Sequence, residues 1–244
     1  DLDDPDLSLH LHLGRGVAQL SLDGSGGSLH RRGYRAAMGA APLKENLAAG
    51  LIRLTGWDGI SPLVDPCCGS GVLLIEAALA ALQQAPGLER RFALEGWADF
   101  QPELWEKEVD RARQRRRRDL TLPLLLGIEA DPVIADQARA NVEAAGLSGI
   151  IRITTSPFED ETLPDGPGVL VCNPPYGQRI GDEQELDALY SALGQFVRRE
   201  ASGWQLWLLS GNPKLTGALR LKASRRIPVS NGGIDCRWLY YDIR

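Results

Sequence analysis

The stretch Leu63-Val64-Asp65-Pro66-Cys67-Cys68-Gly69-Ser70-Gly71 leads directly into the alanine- and leucine-rich segment Val72–Ala85. An apolar run that ends in an acid, turns through glycines and opens a helix predicts a strand, a tight loop and a helix in a βαβ-type arrangement. Gly69 and Gly71 have no Cβ, so the backbone there can approach a ligand closely and adopt positive φ angles. The first helical amides would face that ligand. We therefore expect a nucleotide-like cofactor against this loop.

The acids around the loop indicate which cofactor it is. A dinucleotide site would have a third glycine where this chain has Leu74, and an acid about twenty residues beyond the loop. Neither is present. Asp65 instead ends the first strand, and Glu129 ends the next apolar run. This placement favours S-adenosylmethionine over NAD, with Glu129 on the ribose hydroxyls.

A second stretch, Val169-Leu170-Val171-Cys172-Asn173-Pro174-Pro175-Tyr176, indicates the chemistry. The prolines fix φ and restrict the preceding residue, which holds the loop after the strand in one shape. The Asn173 side-chain oxygen and the Pro174 carbonyl can then accept hydrogens from one planar amino group, while Tyr176 stacks on its ring. A conjugated nitrogen needs orientation above all for methyl transfer. The candidate catalytic residues are Asn173, Pro174, Pro175 and Tyr176; a rigid loop that merely caps a strand is the alternative.

Six segments carry a resemblance to a known family: Tyr34-Arg35, Ala41-Pro42-Leu43-Lys44-Glu45, DPCCGSGVLLIEAA from Asp65, GIEADP from Gly127, NPPYGQR from Asn173 and NGGIDC from Asn231. In this order they resemble the THUMP-associated RNA guanine-N2 methyltransferases, and most of all the members that act on bacterial 23S ribosomal RNA. The resemblance extends from about Leu29 to Arg244. It implies an α/β fold, namely a class I (Rossmann-like) S-adenosylmethionine-dependent methyltransferase sheet with helices on both faces and a C-terminal β-hairpin. It also implies large-subunit ribosomal RNA as the partner.

The loop and the resemblance together give the candidate cofactor residues. Pro42 is expected to begin a helix that continues to Thr55, because proline is favoured in the first turn, and the resemblance places this helix start near the methionine end of the cofactor. Related methyltransferases have an acid after the third strand that meets the adenine amine. This chain has Ser156 there, so the Ser156 hydroxyl or the Phe158 amide would substitute, and the Phe158 ring could stack. The complete set is Pro42, Asp65, Cys67, Gly69, Ser70, Gly71, Glu129, Ala130, Ser156, Phe158 and Asn173.

Composition bounds the class of protein. The chain has 244 residues, 43% of them hydrophobic, which suits one core with a small appendage. A net charge of −5 argues against a general nucleic-acid binder, so any RNA contact must come from local clusters of arginine. The longest nearly apolar run, Val72–Leu82, is short and contains Glu76, so we expect no membrane-spanning segment.

The cysteines indicate the compartment. They show neither a C-x-x-C spacing nor partner histidines, which predicts packed thiols in a reducing cytoplasm and no metal site. The four are Cys67, Cys68, Cys172 and Cys236.

The chain is expected to contain two parts. Residues 6–23 alternate leucine with polar residues around Gly14-Arg15-Gly16, which predicts a β-hairpin with His10 and His12 opposite the leucines. Such a hairpin is too small to stand alone, and in the resembled family a THUMP domain precedes the catalytic domain. We therefore expect 1–35 to be the end of a THUMP-like domain with a linker, and 36–244 to be the methyltransferase domain with an insertion at 86–120. The resemblance allows an upstream THUMP domain and a downstream fused methyltransferase domain.

Arginines provide the candidate RNA contacts. Residues 24–41 form either a solvated linker or a crossover that contacts RNA. Asp99–Leu120 predicts a helix with acids first and six arginines within residues 111–118, which is either a charged surface helix that suits the macrodipole or a helix with an RNA-facing end. The candidate RNA-binding residues are Arg31, Arg32, Arg35, Arg115, Arg116, Arg117, Arg118 and Arg179.

Alternating strands and helices complete the chain and imply right-handed crossovers with a ligand crevice at the carboxyl ends of the strands.

The same Asn-Pro-Pro-Tyr chemistry also serves guanine-N2 methylation of tRNA, adenine-N6 methylation of DNA and glutamine methylation of proteins. A non-catalytic RNA-binding assembly factor is the alternative from another class. The arginine tract favours RNA over protein, and the intact Asn173 and Tyr176 favour catalysis. Further strands are predicted at Leu122–Ile128, Ile150–Thr154, Val169–Cys172 and Trp204–Ser210, helices at Pro132–Ala145 and Glu185–Glu200, and a final hairpin at Arg225–Ser230 and Ile234–Tyr241.

Overall fold

The structure is a computed structural model that describes residues 7–35, 43–176 and 183–244. Two short 3-10 helices, Ala93–Gly96 and Phe158–Asp160, accompany the strands and α-helices. In chain order these are β1 (Leu9–Gly14), β2 (Val17–Leu22), α1 (Glu45–Thr55), β3 (Leu63–Asp65), α2 (Val72–Ala81), α3 (Pro102–Arg115), β4 (Leu125–Glu129), α4 (Pro132–Ala144), β5 (Ile151–Thr155), β6 (Val169–Cys172), α5 (Glu183–Glu200), β7 (Gln205–Ser210), α6 (Pro213–Ala218), β8 (Arg225–Asn231) and β9 (Ile234–Asp242).

A seven-stranded sheet with the order β5-β4-β3-β6-β7-β9-β8 forms the centre of the fold. The first five of these strands are parallel, and β9 and β8 close one edge in antiparallel pairing. The strand order reverses between β3 and β6, which pair directly with Leu63 opposite Val169. Open α/β sheets bind ligands at the carboxyl ends of the strands beside such a switch point. The loops that follow β3 and β6 leave the sheet at that position.

Helices cover both faces of the sheet. One apolar cluster contains α1, α2 and part of α4, and the other contains α5 and α6. The predicted α/β architecture with a C-terminal hairpin is therefore confirmed. In α2 every residue from Val72 to Leu79 is buried, because the helix lies between the sheet and α1. Within the described ranges, none of the helices has the length and apolar character needed to cross a bilayer.

The hairpin of β1 and β2 forms a two-stranded sheet of its own. Its register pairs Leu11 with Leu20 on one face and His12 with Gln19 on the other. The predicted alternation of leucines and histidines is confirmed, and both faces are exposed.

Helix ends differ from the sequence prediction where tertiary contacts intervene. The helix predicted over Asp99–Leu120 ends at Arg115, because Arg116 is extended and the Arg117 amide donates to the Leu82 carbonyl at 2.8 Å. That contact joins the end of α3 to the end of α2. The predicted helix Val72–Ala85 ends at Ala81, and Gln83 has a φ of +54°. The sequence analysis did not predict α6, which begins after Asn212.

Candidate active site

The glycine loop between β3 and α2 has the shape that the sequence predicts. Gly69 and Gly71 have φ angles of +52° and +78°, in the left-handed region that favours glycine. A Cβ on Gly69 would project into open space, so this backbone offers an uncovered surface. Gly127 of β4 lies beneath the loop, where an added Cβ would come within 2.9 Å of the Cys68 sulfur. The loop therefore needs glycine both within it and below it.

The amides of this loop are bonded within the protein. The Cys68 amide donates to the Ile128 carbonyl at 3.0 Å, and the Gly71 amide donates to the Cys68 carbonyl at 2.8 Å. The Ser70 carbonyl accepts a bond of 3.1 Å from the buried Asn141 side chain on α4. Hydrogen bonds within the protein thus fix the shape of the loop. Because these amides are already bonded, the loop offers a ligand mainly its backbone surface.

Asp65 ends β3 beneath the loop. Its side chain is only 1% exposed, and one carboxyl oxygen accepts the Cys67 amide at 3.1 Å. Burial raises the pKa of Asp65 to about 8, the Cys67 amide opposes the shift, and the negative charge of Glu129 adds to it. Asp65 is therefore a buried acid that retains its proton in neutral solution.

Glu129 ends the neighbouring strand β4 and joins the loop to it. One carboxylate oxygen accepts the Gly69 amide and the other accepts the Asp131 amide, each at 3.0 Å. A carboxylate has about four lone-pair positions, so capacity remains for hydroxyl donors. The side chain is half-buried and Ala130 beyond it is exposed. Glu129 thus has the position and the free acceptor capacity that ribose hydroxyls require.

Asn173 follows β6, next to the glycine loop. Its Oδ1 atom is buried and has no hydrogen-bond partner among the described residues. Pro174 is buried and Pro175 is half-buried, which fixes the peptide that carries this side chain. A buried amide oxygen without a donor costs about 1–3 kcal/mol. Among the described residues, the Asn173 side-chain oxygen is thus a buried acceptor without a donor.

Two cysteines connect the loops at their bases. The Cys67 thiol lies close to the buried Cys172 thiol at the end of β6. Burial, followed by this contact, raises the pKa of the Cys172 thiol well above its ordinary value. All four cysteines are free thiols, as the sequence analysis predicts. The glycine loop and the Asn173 loop are therefore neighbours in space.

Tyr176 is held by the C-terminal hairpin. The Asn231 side-chain amide donates to its hydroxyl oxygen at 2.7 Å, and the Cys236 thiol lies 3.6 Å from the same oxygen. Gly211 lies against the ring, since an added Cβ there would come within 3.2 Å of Tyr176 Cδ2. Burial raises the pKa of the Tyr176 phenol, although the Asn231 bond opposes the shift. Tyr176 is thus a neutral, fixed aromatic surface.

Ser156 and Phe158, which follow β5, have different surroundings. The Ser156 amide donates to the Glu129 carbonyl at 3.0 Å, and the Ser156 hydroxyl donates to the Glu161 carboxylate. The Phe158 ring is buried in edge contact with Phe196 of α5, with 5.5 Å between ring centroids. The Phe158 side chain therefore belongs to the core. This position does not favour the predicted stacking of its ring on a cofactor. The backbone amide at Phe158 remains a candidate for the adenine contact.

Arg32 and Arg35 have internal partners. Arg32 lies 3.4 Å from the Glu76 carboxylate on α2, and Arg35 lies 3.5 Å from the Glu45 carboxylate at the start of α1. Both guanidinium side chains are largely buried, at 13% and 8% exposure. Buried charges already paired with carboxylates are not available to phosphates. For these two residues the contacts favour a role in anchoring the linker over the predicted RNA contact.

The other predicted RNA contacts lie at the surface where the structure describes them. Arg31 is exposed beside the buried Arg32. At the end of α3, Arg116 is half-buried and its neighbours Arg115, Arg117 and Arg118 are exposed. Pro42 and Arg179 lie outside the described residues.

Sequence reasoning missed the residues that fix Tyr176. Asn231 and Cys236 were recognised only as part of a segment shared with a family, and Gly211 was not singled out. The Asn-Gly-Gly turn was the available signal, because it predicts a tight hairpin whose tip projects from the sheet. No local spacing indicates that this tip reaches a loop 55 residues earlier.

Comparison with known proteins identifies the family of this chain. Residues 32–240 match the family described as UPF0020, RMKL-like, methyltransferase domain. A protein named ribosomal RNA large subunit methyltransferase K/L, from Syntrophotalea carbinolica, is 44% identical over 253 residues, which cover 100% of this chain and 36% of that protein. The chain thus spans about a third of the length of this relative.

Solved structures are similar as well. The crystal structure of SMU.472 complexed with SAH superposes with a TM-score of 0.91 at 30% identity over 98% of this chain and 62% of that one. A protein from Listeria monocytogenes, described as a predicted N6-adenine-specific DNA methylase, gives a TM-score of 0.89 at 32% identity over 98% of this chain and 61% of the other. The expected Rossmann-like methyltransferase fold is confirmed. This chain belongs to the RMKL-like methyltransferase domain family.

Proposed function

We propose that this chain catalyses the S-adenosylmethionine-dependent methylation of a guanine N2 amine in 23S ribosomal RNA. Membership of the methyltransferase domain family and the name of the large-subunit relative support the reaction and the RNA. The geometry of the site supports a planar exocyclic amine as the nitrogen that is methylated. Four free thiols fit the reducing cytoplasm as the compartment of the reaction.

The buried Oδ1 atom of Asn173, which has no hydrogen-bond partner among the described residues, is the observation that carries this proposal. An exocyclic amine can donate one hydrogen to it and the other to the Pro174 carbonyl, which orients the nitrogen. Orientation is the main requirement, because a conjugated amine loses its proton readily once it has been alkylated. Tyr176 remains a neutral phenol bonded to Asn231, so its proposed role is to stack on the base. Stacking of this kind contributes about 1–3 kcal/mol per base.

The candidate cofactor-binding residues are consistent with this proposed reaction. The sulfonium of S-adenosylmethionine supplies the methyl group. Gly69 provides open backbone surface, Glu129 retains acceptor capacity at the end of β4, and Asp65 supports the loop from below. The guanine must leave its helix to reach Asn173, at a cost of a few kcal/mol.

Adenine-N6 methylation of DNA is the second candidate. The 32% identical Listeria protein is described as a predicted methylase of that type, and an adenine amine would meet the same two acceptors. Exposed arginines at the end of α3, Arg115, Arg117 and Arg118, remain proposed contacts for either nucleic acid, as does Arg31.

One experiment separates these functions. The chain is incubated with methyl-labelled S-adenosylmethionine and, in separate reactions, unmodified 23S ribosomal RNA transcript, unmodified tRNA transcript or unmethylated DNA, and the products are digested to nucleosides. We expect labelled N2-methylguanosine from the 23S transcript. Labelled N6-methyladenine from DNA would establish the second candidate. Binding of the transcript without transfer to any substrate would indicate an RNA-binding assembly factor instead.

A further inference from the structure

Positive charge is concentrated in the last segment of the chain. Residues 210–244 contain seven lysines and arginines, two aspartates and no glutamate, although the whole chain has a net charge of −5. This segment includes α6, β8 and β9. An otherwise acidic protein thus presents a basic edge where the antiparallel hairpin closes the sheet.

A groove of about 840 Å³ runs along that edge. Its walls are the end of β7, the helix α6 and one face of the β8-β9 hairpin. Arg226, Pro228 and Ser230 of β8 and Arg237 of β9 share this face, because Pro228 pairs with Arg237 across the ladder. Arg226 and Arg237 are diagonal neighbours on the ladder, which places their Cβ atoms roughly 7–8 Å apart. A groove of this size is sufficient for a nucleotide.

The two groove arginines differ from the arginines of the chain that are held in ion pairs. Both are exposed, and within the described ranges neither lies within ion-pair distance of a carboxylate. In contrast, Arg139 pairs with Asp136, and Arg199 pairs with Glu200. Arg225 projects from the opposite face of β8 and lies over the Trp207 ring at 5.9 Å. Within the described ranges, the two groove arginines therefore have no ion-pair partner, and the groove carries them together with one carboxylate, that of Asp235.

The groove adjoins the proposed base site. Gly211 and Cys236 line the groove and also contact Tyr176, at its ring and at its hydroxyl oxygen. A base stacked on Tyr176 would thus have its sugar and phosphate within reach of the groove. Asp235, which also lines it, offers an acceptor for a ribose hydroxyl.

We propose that this groove binds the phosphodiester segment next to the methylated nucleotide, with Arg226 and Arg237 on the phosphates. The inference rests on the proposed function, since it assigns the groove to the same nucleic-acid substrate. Arginine suits this task because its planar guanidinium presents several donors to phosphate oxygens. Such contacts set the register of the strand, so that the target base alone reaches Asn173.

The test compares two double variants of equal charge. Arg226→Gln/Arg237→Gln alters the groove, and Arg53→Gln/Arg152→Gln removes two exposed arginines from α1 and from the far edge strand β5. Affinity for unmodified 23S ribosomal RNA transcript is measured over a range of salt concentrations. We expect the groove variant to bind roughly 10-fold more weakly, with the slope of log K against log salt reduced by about 1.5, and the control variant to change less than about twofold. S-adenosylmethionine affinity and the circular dichroism spectrum should be unchanged in both, which separates lost contacts from lost folding.

Phosphate contact is then tested directly on a short RNA that contains the methylated site. One neutral methylphosphonate is placed on each side of the target in turn. Wild-type protein should lose affinity at one of these positions, and the groove variant should not lose more. Equal losses of affinity in the two double variants, or a methylphosphonate effect that survives in the groove variant, would overturn the groove assignment. Absence of methyl transfer by the wild-type chain would instead count against the proposed function, because the binding measurements do not depend on catalysis.

Discussion

The side-chain amide of Asn231 donates a hydrogen bond of 2.7 Å to the hydroxyl oxygen of Tyr176. This bond joins the tip of the β8-β9 hairpin to the loop that follows β6. The ring of Tyr176 is also confined by Gly211 and by the Cys236 thiol. The antiparallel end of the sheet thus fixes the aromatic residue that we propose stacks on the substrate base.

Removal of this bond should impair catalysis more than folding. We expect Asn231→Ala to lower kcat/KM for RNA methylation about 5- to 10-fold, because a neutral hydrogen bond contributes about 1 kcal/mol, and to leave S-adenosylmethionine affinity unchanged. Steady-state methyl transfer and calorimetric cofactor binding measure the two effects. Tyr176→Phe provides the control, because it removes the acceptor and keeps the ring. Adding Asn231→Ala to Tyr176→Phe should cause no further loss; fully additive losses would show that Asn231 acts elsewhere.

Asn173 provides the sharpest test of the proposed chemistry. Asn173→Ala removes the buried acceptor that would orient the amine, and the loss of one such oriented group in a transition state lowers turnover roughly 100- to 1000-fold. Single-turnover methyl transfer with saturating RNA measures this step. Gln195→Ala is a useful comparison, since it removes an exposed side-chain amide from α5, outside the groove and the proposed site. Turnover near that of wild type in Asn173→Ala would remove this residue from the mechanism.

Local sequence pattern predicted the strands well because each ends in a distinctive residue. Strand β6 occupies Val169–Cys172 as predicted, and each strand of the final hairpin is one residue longer at its C-terminal end. The glycine loop was predicted for a physical reason that the structure reproduces, namely positive φ at Gly69 and Gly71.

Pairings between distant segments could not be predicted in this way. Arg32 and Arg35 were interpreted as RNA contacts because an arginine in a polar linker has no visible partner in sequence. Their carboxylates, Glu76 and Glu45, lie on helices that the fold brings against the linker. The unpaired arginines of the β8-β9 groove were overlooked for the converse reason, because they are spread over separate strands.

Asp65 should give the protein a measurable pH dependence of stability. Its pKa is about 8 in the folded chain and near its ordinary 3.8 when unfolded. Between these values the unfolded chain releases a proton that the folded chain retains, so the free energy of unfolding falls as the pH rises from about 4 to about 8. The slope from one such group is about 1.4 kcal/mol per pH unit. Asp65→Asn cannot ionise and should lack this contribution. Urea denaturation of both proteins at pH 5, 6, 7 and 8 measures the free energy of unfolding. The same pH dependence in wild type and in Asp65→Asn would contradict the prediction.

The adjacent residues Arg31 and Arg32 form a matched pair. Substituting each in turn can separate an effect on stability from an effect on RNA binding. Arg32 lies beside the Glu76 carboxylate, which is 4% exposed and also accepts the Tyr34 hydroxyl at 3.0 Å, whereas Arg31 is exposed. Burial already raises the pKa of Glu76, and Arg32 opposes this shift.

Arg32→Met leaves the buried carboxyl without its cation, so we expect the free energy of unfolding to fall by about 3 kcal/mol. Arg31→Met should change it by less than about 0.5 kcal/mol. Denaturant unfolding at pH 7 gives both values. In RNA binding the order should reverse, because Arg31 is exposed whereas the Arg32 guanidinium lies against Glu76. At a temperature where both variants are folded, we expect Arg31→Met to weaken binding and Arg32→Met to leave it unchanged. Equal stability of the two variants would mean that the linker is not anchored through Glu76.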